Sequence, residues 1–413
     1  MKVEVVTIGD ELLLGFTIDT NAAYLARELA AIGVEISRRT TVGDSADDIA
    51  TAVREALDRS DGVITTGGLG PTSDDMTKPA IAALFGREMR RDEDVVRSLH
   101  ERWARMGRKG PIPESNFTQA MIPDGAVIIP NAHGSAPGIW LENDLGRWVA
   151  MLPGVPREMR AMLSEQLIPR LAGDADTVVM SWTIRTTGVA ESALADKLGE
   201  LGRSVDGLSP AFLPSVEGVD IRLTSRGLPQ ADALSLLEGA VSKLREAIGP
   251  YVYGEGGSDL AEIVLDLCRA EGIRLAVAES CTGGMLGARI TAIPGSSDVF
   301  IGGVLAYENS AKIEMLGVEQ ADIEEHGAVS EAVAATMAQG VRRRLSADIG
   351  ISITGIAGPG GGTPDKPVGT VWIALDGRAS GTRGLRFIGD RAEIRQRSAQ
   401  AALDFVRREL QKG

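Results

Sequence analysis

Apolar side chains recur along this chain in two rhythms: short unbroken runs, and a spacing of three to four. Residues 3–8 form a β-branched run that predicts a buried strand. After Asn21, the residues Ala22, Leu25, Ala26 and Leu29 keep helical spacing until Gly33 stops them. A second strand is predicted over 35–42. Ser45 with Asp48 three residues on is a capping-box pattern that opens a helix to about Leu57. A third strand over 62–66 ends in glycines, and the rhythm continues through 148–152 and a helix from Pro156 to about Leu171. Strand, helix, strand in this order predicts a parallel sheet with helices on both faces.

The texture changes over 172–253, where helical stretches at 191–198 and 230–247 accompany strands near 178–185 and 219–224. This is a small α+β unit. Gly254 to Ser258 is a glycine-rich linker. From there to residue 413 the α/β rhythm returns, with strands over 273–278, 299–307, 349–354 and 368–375. Helices end at about Ala270, run from Ser330 to about Leu345, and begin again near Ala392. The predicted fold class is therefore α/β. Two three-layer domains with largely parallel sheets, 1–171 and 254–413, are joined by the α+β unit 172–253.

Composition narrows the function. Lys plus Arg is 43 against 57 for Asp plus Glu, a net charge of −14, and aromatics are 4%. Both argue against direct nucleic-acid binding, which needs basic clusters and stacking platforms. Small anions remain eligible ligands, because backbone N–H groups hold phosphate without net positive charge. Only two cysteines and three histidines occur, which excludes a disulfide scaffold and Cys/His metal spacing. With no signal-peptide pattern at Met1 to Val6 and no long apolar run, the expectation is a cytoplasmic protein without a membrane span.

Two stretches carry chemistry in the first domain. Gly67, Gly68 and Gly70 lie between a predicted strand and a helix, followed by Thr72, Asp74 and Asp75. Ligands bind at such strand ends, and glycines admit a phosphate close to the backbone. The alternative is a tight turn whose acids favour the helix dipole. Asp10 and Glu11 end the first strand, and neighbouring parallel strands would bring them to the Asp74 loop. Asp74 and Asp75 are hard ligands suited to Mg²⁺ or Mn²⁺. Asn131 to Gly138 and Pro153 to Pro156 are further loops expected at the same rim.

The last domain carries denser signals. Ser280, Cys281, Thr282 and Gly283 sit between a strand and a helix; Pro294 to Ser297 follow that helix; Tyr307 to Lys312 end a strand and enter another. The glycine loop Thr354, Gly355, Gly358, Gly360 and Gly361 ends a further strand. That loop suits a phosphomonoester held by backbone N–H groups. Arg391 and Arg395 lie at the last helix start, as phosphate partners or as surface cations. With His326 alone in this domain, a Ser–Lys arrangement suits amide hydrolysis better than a histidine triad. Asn309 or Ser310 as N-cap would place Lys312 in the first helical turn, where dipole and burial favour a neutral amine. Ser280 and Cys281 also have the posture of a nucleophile elbow, though Cys281 lacks an activating histidine.

The motifs GDELLLG, TTGGLGPTSDD and LPGVPREM resemble the N-terminal domain of the CinA family, itself similar to molybdopterin-binding proteins of molybdenum cofactor biosynthesis. AESCTGG, PGSS, AYENSAK, TGIAGPGGG and PVGTV resemble the C-terminal domain of that family, the nicotinamide mononucleotide deamidases. The resemblance implies a KH-like middle unit. It implies an ADP-ribose pyrophosphatase dependent on Mg, Mn or Co in the first domain and a metal-free deamidase in the last. It implies Ser297 as nucleophile, with Tyr307 and Lys312 as proton carriers, and Ser280 and Thr354 as substrate-binding groups. A simple binding role for the first domain, or an interaction role in DNA uptake, are the rival readings. Nucleotide enzymes of this build are commonly homo-oligomers, and a homodimer is the expectation.

Overall fold

The computed structural model describes residues 1–107, 110–172 and 177–412. The chain divides into two compact units, Met1–Met180 with Ser225–Leu234 and Ser181–Thr224 with Ser235–Gly413.

The first unit holds strands β1 (Lys2–Ile8), β2 (Glu35–Val42), β3 (Gly62–Thr66), β4 (Met89–Arg91), β5 (Met121–Pro123), β6 (Val127–Ile129), β7 (Gly138–Glu142) and β8 (Trp148–Leu152). Its main sheet runs β2-β1-β3-β8-β7-β6, while β4 and β5 form a separate pair. The half from β2 to β8 is parallel, and β8, β7 and β6 pair antiparallel. Side chains of β1 alternate between the two faces, as a strand period of two requires. Val3 and Val5 pack with Leu25, Leu29 and Met159 on one face. Val6 and Ile8 pack with Ile49 and Val53 on the other. Each such buried side chain stabilises the fold by about 1.5–3 kcal/mol. The one charge buried in β1, Glu4, is met by both arms of Arg59 at 3.0 Å, the bidentate geometry that makes a buried carboxylate tolerable.

The helix expected after Asn21 spans Thr20–Ala31, and its cap is Asp19, whose carboxylate accepts from the Ala22 N–H at 2.9 Å. Asn21 lies inside the helix, and its amide instead donates to Thr66 Oγ1 and the Gly154 carbonyl. Ser45 does cap Ala46–Arg59, accepting from Asp48.

Next come β9 (Val178–Thr186), β10 (Ala211–Pro214), β11 (Val219–Leu228) and β12 (Val252–Glu255), in the sheet order β10-β11-β9-β12. The last domain contributes β13 (Leu275–Glu279), β14 (Phe300–Leu305), β15 (Ile349–Gly355), β16 (Thr370–Gly377) and β17 (Gly381–Arg386), in the order β14-β13-β15-β16-β17. Strands β14, β13 and β15 are parallel, whereas β15, β16 and β17 run antiparallel. Strand β17 has no signal in the sequence, because GTRGLR offers neither an apolar run nor alternation. Helices Leu260–Glu271 and Arg391–Leu410 cover one face of this sheet, with Val264, Leu265, Leu403 and Val406 in its core. Helix Glu331–Leu345 covers the other with Val333, Met337 and Val341. Among the described residues no helix is long and apolar enough to cross a membrane.

Candidate functional site

Parallel strands β14, β13 and β15 end together, and their C-terminal ends carry the chemistry of the last domain. The β13 chain leaves the sheet at Glu279 and turns through Ser280, Cys281, Thr282, Gly283 and Gly284 into helix Met285–Thr291. Glu279, 1% exposed, anchors that turn: its carboxylate accepts from the Gly284, Leu286 and Gly287 N–H groups at 2.8–3.1 Å. The chain leaving β14 begins helix Asn309–Leu316, which carries Lys312. Its N-cap is Glu308, before both Asn309 and Ser310, and without a side-chain bond, so Lys312 is the fourth helical residue.

These ends enclose a cavity of about 260 Å³ lined by Ser280, Cys281, Tyr307, Lys312, Thr354 and Arg391, among others. Lys312 is 2% exposed, and its ammonium donates to the Tyr307 carbonyl at 3.0 Å. Burial holds its pKa below the usual lysine range, against the opposing pull of Glu308. Tyr307 thus serves Lys312 through its backbone, while its phenol oxygen accepts from Arg391 Nη2 at 3.0 Å. Thr354 donates to the Ala328 carbonyl at 2.8 Å. Cys281 is buried, and burial pushes its thiol up to about 12, which leaves it inert as a nucleophile. A second cavity of about 480 Å³ shares Ala357 and Arg391 with the first and adds Gly358, Pro359, Gly389 and Asp390. Arg391 faces both, and Arg395 faces neither: its guanidinium donates to the Thr282 carbonyl at 2.7 and 3.2 Å. Gly355 lines the inner cavity, whereas Thr282, Gly283, Gly360 and Gly361 line neither.

The expected meeting of Ser297 with Lys312 inside one chain is not what the fold brings about. Ser297 is exposed in the short turn Ser296–Asp298, just before β14 begins. Phe300 opens β14 opposite Leu275, while Leu305 closes it opposite Glu279. At about 3.3 Å per residue the strand holds Ser297 roughly 17 Å or more from the end where Lys312 sits. Its neighbour Asp298 is tied to Arg269 at 2.8 Å. The serine that shares the cavity with Lys312 is Ser280; the other hydroxyls there are engaged, Thr354 with the Ala328 carbonyl and Tyr307 with Arg391.

In the first unit, β1 and β3 are neighbours with Thr7 opposite Thr66. Their ends open onto a cavity of about 450 Å³ lined by Gly9, Glu11, Asp44, Gly67, Gly68, Gly70, Asp74, Asp75, Gln119, Ser135 and Glu158, among others. Asp75 shapes this loop rather than standing free: it accepts from the Gly70 N–H at 2.7 Å and from the Thr72 N–H at 2.8 Å. Thr72 is spent on the same carboxylate through its hydroxyl. A cation at Asp75 would share its oxygens with these donors. Asp10 exchanges hydrogen bonds with Asp44, each backbone N–H donating to the other's carboxylate. Burial raises the Asp44 pKa, and the charges of Asp10, Glu11 and Asp74 push it the same way. Among the described residues no three His, Cys, Asp or Glu side chains converge on one metal position.

Asp44, Gln119 and Glu158 were missed from sequence. Asp44 had a signal: TIGD after β1 and TVGD after β2 are the same strand end twice, and Ile8 pairs with Val42. The glycines at the loop are demanded by space. A Cβ on Gly68 (φ +64) would lie 2.2 Å from Thr77 Oγ1. Gly68→Ala is therefore expected to cost about 1–3 kcal/mol and to lower the thermal unfolding midpoint, at roughly 2–4 °C per kcal/mol.

Comparison with known proteins finds three family matches along the chain. Residues 4–173 match the probable molybdopterin binding domain, 181–254 the damage-inducible protein CinA KH domain, and 257–410 the CinA C-terminal domain. A CinA-like protein of Gemmatimonas aurantiaca is 60% identical over 414 residues, covering 99% of this chain and 96% of the relative. A CinA-like protein of Salinibacter ruber is 43% identical over 413 residues, covering 99% and 100%. A crystal structure of the protein CinA from Thermoplasma acidophilum, with unknown function, is 36% identical, covers 41% of this chain and 96% of its own, and gives a TM-score of 0.38. With matches of this identity running the length of the sequence, the chain belongs to the CinA family.

Proposed function

We propose that the last domain hydrolyses the carboxamide of nicotinamide mononucleotide to nicotinate mononucleotide and ammonia. The observation that carries this reading is a buried, pKa-lowered Lys312 in one cavity with the Ser280 hydroxyl. Ser280 Oγ attacks the carboxamide carbon, and its proton passes to the neutral Lys312 amine. Collapse of the tetrahedral intermediate breaks the C–N bond, and Lys312 returns the proton to the leaving ammonia. Water then attacks the ester with Lys312 again as base, releasing the acid and the serine. The inner cavity suits the pyridine ring, and the outer one, with Gly358 and Arg391, suits the ribosyl phosphate. Ammonia release from nicotinamide mononucleotide by the full chain tests the reading, and its absence would sink it. Arg391→Ala should raise KM about tenfold or more with a smaller change in kcat, the loss of one charged contact. Steady-state kinetics reads that split, and an unchanged KM would take the phosphate away from this side chain.

The first domain is proposed to cleave ADP-ribose to AMP and ribose 5-phosphate with a divalent cation. The crowding of Asp10, Glu11 and Asp74 around Asp44 favours this, since a cation would relieve it. Mg²⁺ is held by one or two carboxylates together with substrate phosphates, so a preformed triad is not needed. Glu11 and Asp74 would hold it beside the glycine loop, where it would supply charge neutralisation for the diphosphate. AMP release by the full chain with Mg²⁺, Mn²⁺ or Co²⁺ tests this; binding without AMP under every metal would leave a ligand-holding domain only.

A further inference from the structure

Among the described residues lining the cavity of the first unit, Gln119 has a buried polar atom without a partner. Gln119 is 3% exposed, lines the cavity, and its Oε1 accepts no hydrogen bond among the described residues. A buried amide oxygen without a donor is costly, and native structures keep one where something else supplies the donor. The backbone on both sides of Gln119 is anchored. Lys78, itself 4% exposed, reaches from helix Thr77–Leu84 to donate to the Thr118 carbonyl at 2.8 Å. On the other side the Ala120 carbonyl accepts from the Asp92 N–H at 2.8 Å. Gln119 is thus held at the cavity with its acceptor unspent.

The other lining groups are of two kinds. Glu11, Asp44, Asp74, Asp75 and Glu158 are carboxylates, of which Glu11, Asp44 and Asp74 with the glycine loop are suited to a diphosphate and its cation and Glu158 is held by the Asn131 amide at 2.7 Å; Gln119 and Ser135 are neutral and polar. We infer that Gln119 recognises the uncharged end of a nucleoside diphosphate ligand, accepting a hydrogen bond from a base amine or a sugar hydroxyl. This rests on the ADP-ribose reading of the cavity and adds the group that selects the ligand to those that cleave it. Lys78 acts through Gln119, as a positioning residue.

The test is calorimetric titration of the full chain, with and without Mg²⁺, using ADP-ribose, its inosine counterpart and ADP. The inosine compound replaces the base amine by a carbonyl oxygen, and ADP lacks the terminal sugar. Gln119→Leu, which keeps the size and removes the acceptor, should weaken ADP-ribose binding about tenfold or more. The analogue whose affinity is insensitive to Gln119→Leu identifies the donor that Gln119 meets. Gln119→Asn, which retracts the amide by one methylene, should weaken binding in the same direction, so a poorly folding Leu variant does not decide the matter. ADP-ribose binding within twofold of the unmodified chain in both variants overturns the inference. Tight, Gln119-dependent binding without AMP release would sink the cleavage reading and leave this one standing. No binding by the unmodified chain overturns both.

Discussion

Replacing Lys312 by Met should lower kcat for ammonia release by about 10³-fold or more, while the chain still binds the nucleotide. The size follows from the two proton transfers assigned to one amine, each of which general acid–base catalysis makes about 10²–10⁴-fold faster. Lys312→Arg should fail as fully, because a guanidinium stays protonated and cannot accept the serine proton. The pH profile carries the same content. Burial disfavours the ammonium, so the folded pKa lies below the usual lysine value of about 10.4. The neutral form is the base, so kcat/KM rises with pH, and its acid limb bends below that value. A profile flat across this range, or an active Arg variant, would remove Lys312 from proton transfer.

Ser280→Ala should be the most damaging single change, with kcat falling by about 10³–10⁶-fold. Losing the nucleophile of a concerted set removes nearly all that the set contributes, and only binding and polarisation remain. The surroundings of Ser280 favour a defined posture. Its N–H donates to the Ile353 carbonyl at 3.0 Å, and its own carbonyl accepts from Gly283 at 3.1 Å. Glu279 pins the helix that follows, and Arg395 holds the Thr282 carbonyl. Ser280→Ala leaves all four contacts intact, so the folded chain and its thermal midpoint should be unchanged. Loss of activity together with loss of fold would point to a structural serine.

Much of this architecture is legible in the residues. The β-branched runs give β1, β3 and β15, and Ser330 announces its helix by accepting from the Val333 N–H. The glycine-rich strand ends locate the candidate site of each unit, because ligands approach the backbone most closely there. Where the reading falls short, a spatial relation had to be supplied. The fifteen positions from Ser297 to Lys312 look short, yet a predicted strand lies between them and holds its two ends apart. Gln119 has no pattern of its own, since a residue of the short 3₁₀ helix Glu114–Ala120 becomes a ligand group only through what anchors its neighbours. The role of Asp75 in shaping its own turn, accepting from Gly70 and Thr72, shows only once the turn is folded. The antiparallel halves of both sheets escaped for a related reason: short strands such as β17 owe their place to a paired neighbour more than to their own side chains.

Side-by-side ammonia release by Ser280→Ala and Ser297→Ala decides which hydroxyl does the work. The geometry predicts a Ser280 variant below about 0.1% of the unmodified rate and a Ser297 variant within about twofold of it. A silent Ser297 variant beside an active Ser280 variant would contradict the account, and would place the attacking group at the far end of β14.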